Sequence, residues 1–259
     1  MTRVSAGIDR LPILIDPEYD RSFREQGFAV VPFISRERLA ELRQLVLPLI
    51  PEDSAPFFTL YKNDGPELRR RIDAFVRAEI QPIADSILCN HRFYIGSIFV
   101  KYPGEGGYIA AHQDWTFVDE SQYLSGAIWL PLQLTNAENG GLFLQPGSHR
   151  FDLPYRGSPP DPIEVKIDEL ISCNMEMGAA LVHHNALIHG STQNNTDELR
   201  IVMALGFVSE GAQMFHFQTD ENGQKWRYQI SDQFPFSYQP PAVPSGSEVL
   251  AAEKWDPKS

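Results

Sequence analysis

The sequence predicts a mainly β barrel or sandwich decorated by N-terminal helices. Three observations carry that expectation. Helical apolar spacing is confined to the first ninety or so residues, short β-rich runs follow from about residue 92, and Gly, Pro and Asn separate those runs as turns. Helices first and strands later argue against a doubly wound α/β fold, in which the two alternate.

Residues 17–25 read as a short helix stopped at Gly27, and Phe28-Ala29-Val30-Val31 as a strand closed by Pro32. Ser35 is a suitable N-cap for a helix carrying Leu39, Leu42, Leu45 and Val46, which Pro48 and Pro51 should end. A longer helical pattern, Leu68, Ile72, Phe75, Val76, Ile80 and Ile83, spans 66–88 and is interrupted by Pro82. Strands are expected at 92–102, 107–114, 125–134, 141–145, 179–183, 186–190 and 199–208. The Pro-rich excursion 151–178 is long enough for a lid or binding loop, and the tail from about 239 reads as loosely ordered. One domain over 1–259 is expected: helices to about 90, a barrel core over about 91–210, and a C-terminal extension over about 211–259.

Composition narrows the function classes. Hydrophobic residues at 42% suffice for a full core, and the net charge of -12 leaves little to grip a phosphate backbone, so nucleic acid is not an expected partner. The one basic cluster, Arg69-Arg70-Arg71, reads as a solvated helix face. No stretch approaches the roughly 18 apolar residues of a membrane span, and the first apolar run, Leu11 to Ile15, is too short for a signal-peptide core. Cys89 and Cys173 match no zinc spacing and read as reduced, buried thiols, which suits the cytoplasm. The sequon at Asn194 then has no glycosylation role. Oligomeric state is not readable; Phe234, Phe236 and Tyr238 are expected to cover the barrel or a neighbouring subunit.

The chemistry-bearing segment is Tyr108 to Asp114. Side chains at i and i+2 of a strand share a face, so His112 and Asp114 can grip one ion. Alone, such a pair is as readily a satisfied pair on a strand face. His189, in Leu187-Ile188-His189-Gly190-Ser191, is the natural third ligand. Two histidines and a carboxylate on one side of an ion leave open positions for a bidentate oxo-acid and O2, the arrangement of non-haem iron(II) oxygenases. Past His189, a turn-rich stretch at 193–197 should fold two strands into a hairpin and return Arg200 to the neighbourhood of Ser191. A guanidinium fork with a nearby hydroxyl suits the distal carboxylate of 2-oxoglutarate, whose other end would chelate the metal.

These motifs in this order resemble the phytanoyl-CoA dioxygenase family of Fe(II)/2-oxoglutarate oxygenases. The resemblance runs from Gly27-Phe28-Ala29-Val30-Val31 through His112-Gln113-Asp114, Trp129, Asn139-Gly140-Gly141-Leu142 and Pro146-Gly147-Ser148-His149 to His189-Gly190-Ser191 and Arg200. It implies a double-stranded β-helix, a jelly-roll or cupin-like barrel with the metal in its mouth. It implies His112, Asp114 and His189 as iron ligands, Arg200 and Ser191 on the distal carboxylate of 2-oxoglutarate, and Trp129 lining that co-substrate site. Lys101 or Tyr102 would also touch it, and the sequence does not decide which. Substrate would lie near Trp115, Thr116 and Phe117, under the 151–178 excursion. Related halogenases carry a small residue where Asp114 stands, so hydroxylation by O2 is implied over halogenation. The expected substrate is a small natural-product or amino-acid-like molecule, the acidic balance disfavouring an acyl-CoA. His149, His183 and His184 read as structural, with at most one of the last two able to reach the site, and His91 and His216 belong to no motif. Two rival functions are a non-oxidative cupin-like metalloenzyme and a 2-oxoglutarate-binding module without catalysis.

Overall fold

The computed structural model describes residues 11–52, 56–60, 65–151, 155–158, 163–238, 240 and 242–255. Helix α1 (Pro17–Gln26) is capped by Asp16 and ends at Gly27, whose φ of 85° closes the helix in the left-handed region. Strand β1 (Phe28–Pro32) follows, then α2 (Arg36–Val46), where Ser35 accepts the Arg38 N–H as foreseen. After β2 (Phe57–Phe58), α3 (Pro66–Ile87) runs through Pro82 without a break. Pro82 sits on the exposed face, where water can serve the carbonyl it leaves unpaired, while Ile72, Val76, Ile80 and Ala84 stay buried below. Gly96 lets α3 approach the sheet closely: a Cβ there would lie 2.8 Å from that of Val76.

The remaining strands are β3 (His91–Lys101), β4 (Ile109–His112), β5 (Ser125–Pro131), β6 (Leu142–Leu144), β7 (Ile171–Ser172), β8 (Ala179–His184), β9 (His189–Ser191), β10 (Arg200–Ser209), β11 (Phe215–Thr219), β12 (Lys225–Ile230) and β13 (Val249–Lys254), with the short α4 (Phe234–Ser237) before the last. They form a six-stranded sheet β1-β8-β5-β10-β3-β2, a four-stranded sheet β4-β9-β6-β7, and a three-stranded sheet β11-β12-β13. All pairings are antiparallel. The two larger sheets make the jelly-roll. Trp129, Leu142, Leu144, Leu181 and Val202 fill the space between them, and α3 packs against β3 and β10 on the outer face of the six-stranded sheet. That sheet is covered on both sides, which is why β8 and β10 read as unbroken apolar runs.

Several expectations change. The segment 193–197 does not close a hairpin: β9 belongs to the four-stranded sheet and β10 to the six-stranded one, so the chain crosses between sheets. Asn194, fully buried, makes that corner, accepting from Thr196 through its Oδ1 and donating to the carbonyls of Lys101 and Glu198. Arg69 is not on a solvated face. It is buried and donates to the Leu60 and Tyr238 carbonyls, clamping the C-terminal segment onto α3, while Arg70 and Arg71 are exposed. Cys89 is only partly buried, whereas Cys173 is buried, and both are free. The tail is ordered at least over β13, and Phe234, Phe236 and Tyr238 are buried against their own chain. Among the described residues, no helix is long and apolar enough to cross a membrane.

Candidate metal centre

Strands β4 and β9 pair so that His112 stands directly opposite His189, with ring centroids 4.3 Å apart. Asp114 lies just past the end of β4, its backbone N–H bonded to the Asn185 carbonyl at 2.9 Å. Its Oδ1 is 3.7 Å from His112 Nε2 and 3.9 Å from His189 Nε2. The three donor atoms all lie within 4.8 Å of one another, a separation that one divalent cation can bridge. The i, i+2 reasoning thus placed Asp114 correctly although the strand stops at His112.

The histidines are oriented by their own strands. His112 Nδ1 is 2.9 Å from the Ala110 carbonyl, and His189 Nδ1 is 2.9 Å from the Leu187 carbonyl. A carbonyl only accepts, so each Nδ1 carries the proton and each Nε2 presents a lone pair toward Asp114. Desolvation, aided by the neighbouring His189, pushes the His112 imidazole down to about 4, so it is neutral and ready to ligate near pH 7. Burial likewise keeps His189 below its ordinary value. For Asp114, desolvation works upward but is outweighed by His189, His183, His112 and Arg156, and the carboxyl stays below its usual range. Two neutral imidazoles and one carboxylate are the donor set of a mononuclear iron(II) site.

A cavity of about 560 Å³ opens beside this triad, between the two larger sheets. Ser191, Arg200 and Trp129 all line it. Arg200 arrives from the opposite sheet, its guanidinium carbon 5.7 Å from the Trp129 ring centre. It is buried, and among the described residues its Nε and Nη1 have no hydrogen-bond partner. A guanidinium stripped of water and left unpaired is costly, and desolvation pulls it down to about 9. A bound anion would remove that cost. Lys101 is the residue of its strand that reaches this corner. It pairs in register with Arg200 and donates through Nζ to Ser191 Oγ at 2.5 Å and to the Thr192 carbonyl. Tyr102 instead donates its hydroxyl to the Pro51 carbonyl.

Other expectations sort as follows. Trp115 and Phe117 line the cavity; Thr116 turns away, its Oγ1 accepting the Arg156 N–H. His183 and His184 face opposite ways, as strand geometry requires. His184 packs against Phe23 and His149, and His149 ties back to the Arg24 carbonyl. His183, however, faces the cavity, its ring 5.2 Å from that of His189. Sequence reasoning also passed over Arg156. Buried in the excursion, it donates to the Asp114 carbonyl at 3.0 Å and to both carboxylate oxygens of Glu120, at 2.5 and 2.6 Å. It holds the backbone that carries the Asp114 carboxylate.

The family profile of phytanoyl-CoA dioxygenase (PhyH) matches residues 23–202. "Phytanoyl-CoA dioxygenase 1" of Oryza sativa subsp. japonica is 29% identical over 147 residues, 52% of each chain. "Phytanoyl-CoA dioxygenase" of Arabidopsis thaliana is 28% identical over 142 residues, 51% of this chain and 50% of that one. The chain therefore spans about half the length of the curated relatives it matches. Among solved structures, EvdO2 from Micromonospora carbonacea var. aurantiaca, complexed with 2-oxoglutarate, superposes with a TM-score of 0.54 at 24% identity, covering 77% of this chain and 94% of that one. HygX from Streptomyces hygroscopicus, with nickel, 2-oxoglutarate and hygromycin B bound, superposes at 0.53 with 16% identity, covering 76% and 88%. At such identities what is shared is the jelly-roll fold. With the family profile spanning most of its length, the chain belongs to the phytanoyl-CoA dioxygenase family.

Proposed function

We propose that the protein is an Fe(II)- and 2-oxoglutarate-dependent dioxygenase that oxidises a C–H bond of a small organic molecule. The observation that carries this reading is the buried guanidinium of Arg200, whose Nε and Nη1 have no hydrogen-bond partner among the described residues, in the same cavity as the His112–Asp114–His189 donor set. A metal site alone would need no such cation; a dicarboxylate held at both ends needs both. When bound, iron and 2-oxoglutarate supply the activation of O2: one oxygen atom enters the substrate C–H bond, and the other leaves in succinate, with CO2 released.

The chain's own residues do the positioning. His112, Asp114 and His189 would hold the ion. Arg200 forks onto the distal carboxylate of 2-oxoglutarate. Lys101 donates to Ser191 Oγ, which leaves the Ser191 hydrogen free for the same carboxylate. Trp129 supplies a flat wall beside Arg200. Arg200, Ser191, Trp129 and Lys101 are all buried, which strengthens the contacts at that end of the cavity. The helices, barrel and C-terminal segment act as one unit, since one apolar cluster draws residues from all three, from Ile13 to Tyr238. Two free cysteines suit a reducing compartment, and we place the protein in the cytoplasm.

The test is succinate formation from 2-oxoglutarate, driven by a panel of small-molecule substrates, with and without Fe(II) and O2. Succinate should require both, and His112→Ala should abolish it. Substrate turnover without O2 or 2-oxoglutarate would favour a non-oxidative metalloenzyme. Tight 2-oxoglutarate binding without O2 uptake would favour a binding module.

A further inference from the structure

The cavity's charge inventory bears on the substrate, on the reading that Arg200 and the metal take 2-oxoglutarate. Among its lining residues the only carboxylate is Asp114 and the only guanidinium or ammonium group is that of Arg200. Both are then engaged. What remains is uncharged: mostly aromatic and apolar, chiefly Tyr94, Ile95, Phe99, Trp115 and Phe117, with Ser97 and with Gln113 and Asn185, whose amides already donate to the Ala186 and Trp115 carbonyls. Tyr94 and Phe117 pack at 4.8 Å between ring centres, and Trp115 meets Phe117 edge-on at 6.3 Å. Beside Tyr94, Ile95 and Phe99 in the same sheet lie Ala127, Ala204 and Gly206, whose lack of bulk leaves a broad flat surface. The Tyr94 ring lies close against Gly206, where a Cβ would be 2.6 Å from it.

A carboxylate, phosphate or ammonium group moved into such a chamber would lose its water and find no counter-charge, a cost of several kcal/mol. An amino acid zwitterion and an acyl-CoA head group are disfavoured on that ground. A planar apolar ring system loses little on transfer and gains stacking and burial against the aromatic wall. The chamber is not wholly featureless. His183, opposite Ala127 in the register of β8 and β5, turns its ring into it beside His189. Its Nδ1 is 3.4 Å from the His184 carbonyl, and among the described residues the ring makes no other hydrogen bond. One ring nitrogen is left for a ligand. A cavity of about 560 Å³, shared with the co-substrate, sets the size at that of a compact drug-like molecule or smaller.

We propose that the substrate is an uncharged, ring-bearing molecule carrying a hydroxyl group, and that His183 Nε2 accepts from that hydroxyl and so positions the ring over the metal. His183 is a specificity-determining residue in this account: it touches the substrate and takes no part in holding the metal.

The test uses the Ni(II)·2-oxoglutarate form of the full chain, in which no turnover occurs. Metal and 2-oxoglutarate affinities are measured first by calorimetry; failure there sinks the dioxygenase reading itself. With that form established, dissociation constants are compared for 2-naphthol, naphthalene, 2-naphthoate and hexadecanoyl-CoA by tryptophan quenching. The neutral alcohol should bind about ten-fold or more tightly than naphthalene, the worth of one buried hydrogen bond, and more tightly still than either anion. His183→Leu should erase the preference for 2-naphthol over naphthalene, His183→Gln should restore part of it, and both should leave 2-oxoglutarate affinity unchanged. Tighter binding of 2-naphthoate or hexadecanoyl-CoA, no binding of either neutral ring, or a preference indifferent to His183 would each overturn the proposal.

Discussion

Arg200 and His216 are both buried polar side chains without partners, and they lead to opposite expectations. Arg200 points into the cavity, so its missing partner is a ligand. Arg200→Met should weaken 2-oxoglutarate binding by roughly 30-fold or more, the usual cost of removing one half of a buried charge pair, with the Ni(II) affinity unaffected; equal loss of both would contradict the assigned role. His216 instead sits among Trp115, Phe234 and Tyr238, with ring centres 4.6 to 5.3 Å away, and among the described residues neither ring nitrogen is hydrogen-bonded. Burial pushes its imidazole down to about 3, against about 6.5 in an unfolded chain. Between those values the unfolded chain binds the proton and the native chain does not, so stability is lost as pH falls from about 6.5 toward 3. His216→Phe should stabilise the fold by about 1–3 kcal/mol near neutral pH and by more at pH 5, read as Tm across a pH series. A lower Tm for the variant at both pH values would contradict it. The triad was legible in the sequence because His112 and Asp114 are two residues apart and His189 opens a recognisable tripeptide. The choice of Lys101 over Tyr102 and of His183 over His184 was not, because it depends on neighbours across a sheet that no local spacing reveals.

The excursion 151–178 read as a lid or binding loop, and residues 155–158 of it are fastened to their neighbours. Tyr155 donates to Asp119, Arg156 grips Glu120 and the Asp114 carbonyl, and Ser158 bonds the Phe217 carbonyl of β11. It ties the ligand-bearing loop to the C-terminal sheet. Arg156→Met leaves the Glu120 carboxylate buried and unpaired and frees the Asp114 backbone. Metal affinity should fall about 10- to 100-fold, as for other groups that orient a ligand, with a loss of stability of about 3–5 kcal/mol. Pairing it with Glu120→Leu should recover most of the stability and little of the metal affinity. Calorimetric Ni(II) titration of the two variants separates those effects, and an undiminished affinity in Arg156→Met would contradict the role. Elements with strong periodicity or turn punctuation were foreseen within a few residues, including α2 with its Ser35 cap. Strands β11 to β13 were not assigned. They form a separate sheet, and the outermost, Val249–Lys254, is almost wholly exposed and so lacks the alternation that marks a half-buried strand.

At the scale of the molecule, the jelly-roll brings together groups that are far apart in the chain. The candidate metal donors come from the four-stranded sheet and its flanking loop, while Arg200, Lys101 and Trp129 come from the six-stranded sheet. A ligand bridging the two should lock the sheets together. Ni(II) with 2-oxoglutarate at a hundred-fold excess over its dissociation constant should add about 2.7 kcal/mol to stability, seen as a raised Tm that a chelator reverses. The order of the sheets could not be read from spacing, and the crossing at Asn194 was mistaken for a hairpin because a turn-rich stretch between two strands looks the same in either case. The most direct test of the whole account is an anaerobic titration of 2-oxoglutarate into the Fe(II)-loaded chain. The account expects one molecule bound per chain, with binding at least about ten-fold weaker after iron is removed and lost in both His112→Ala and Arg200→Met. Binding that is indifferent to iron or to Arg200 would contradict it.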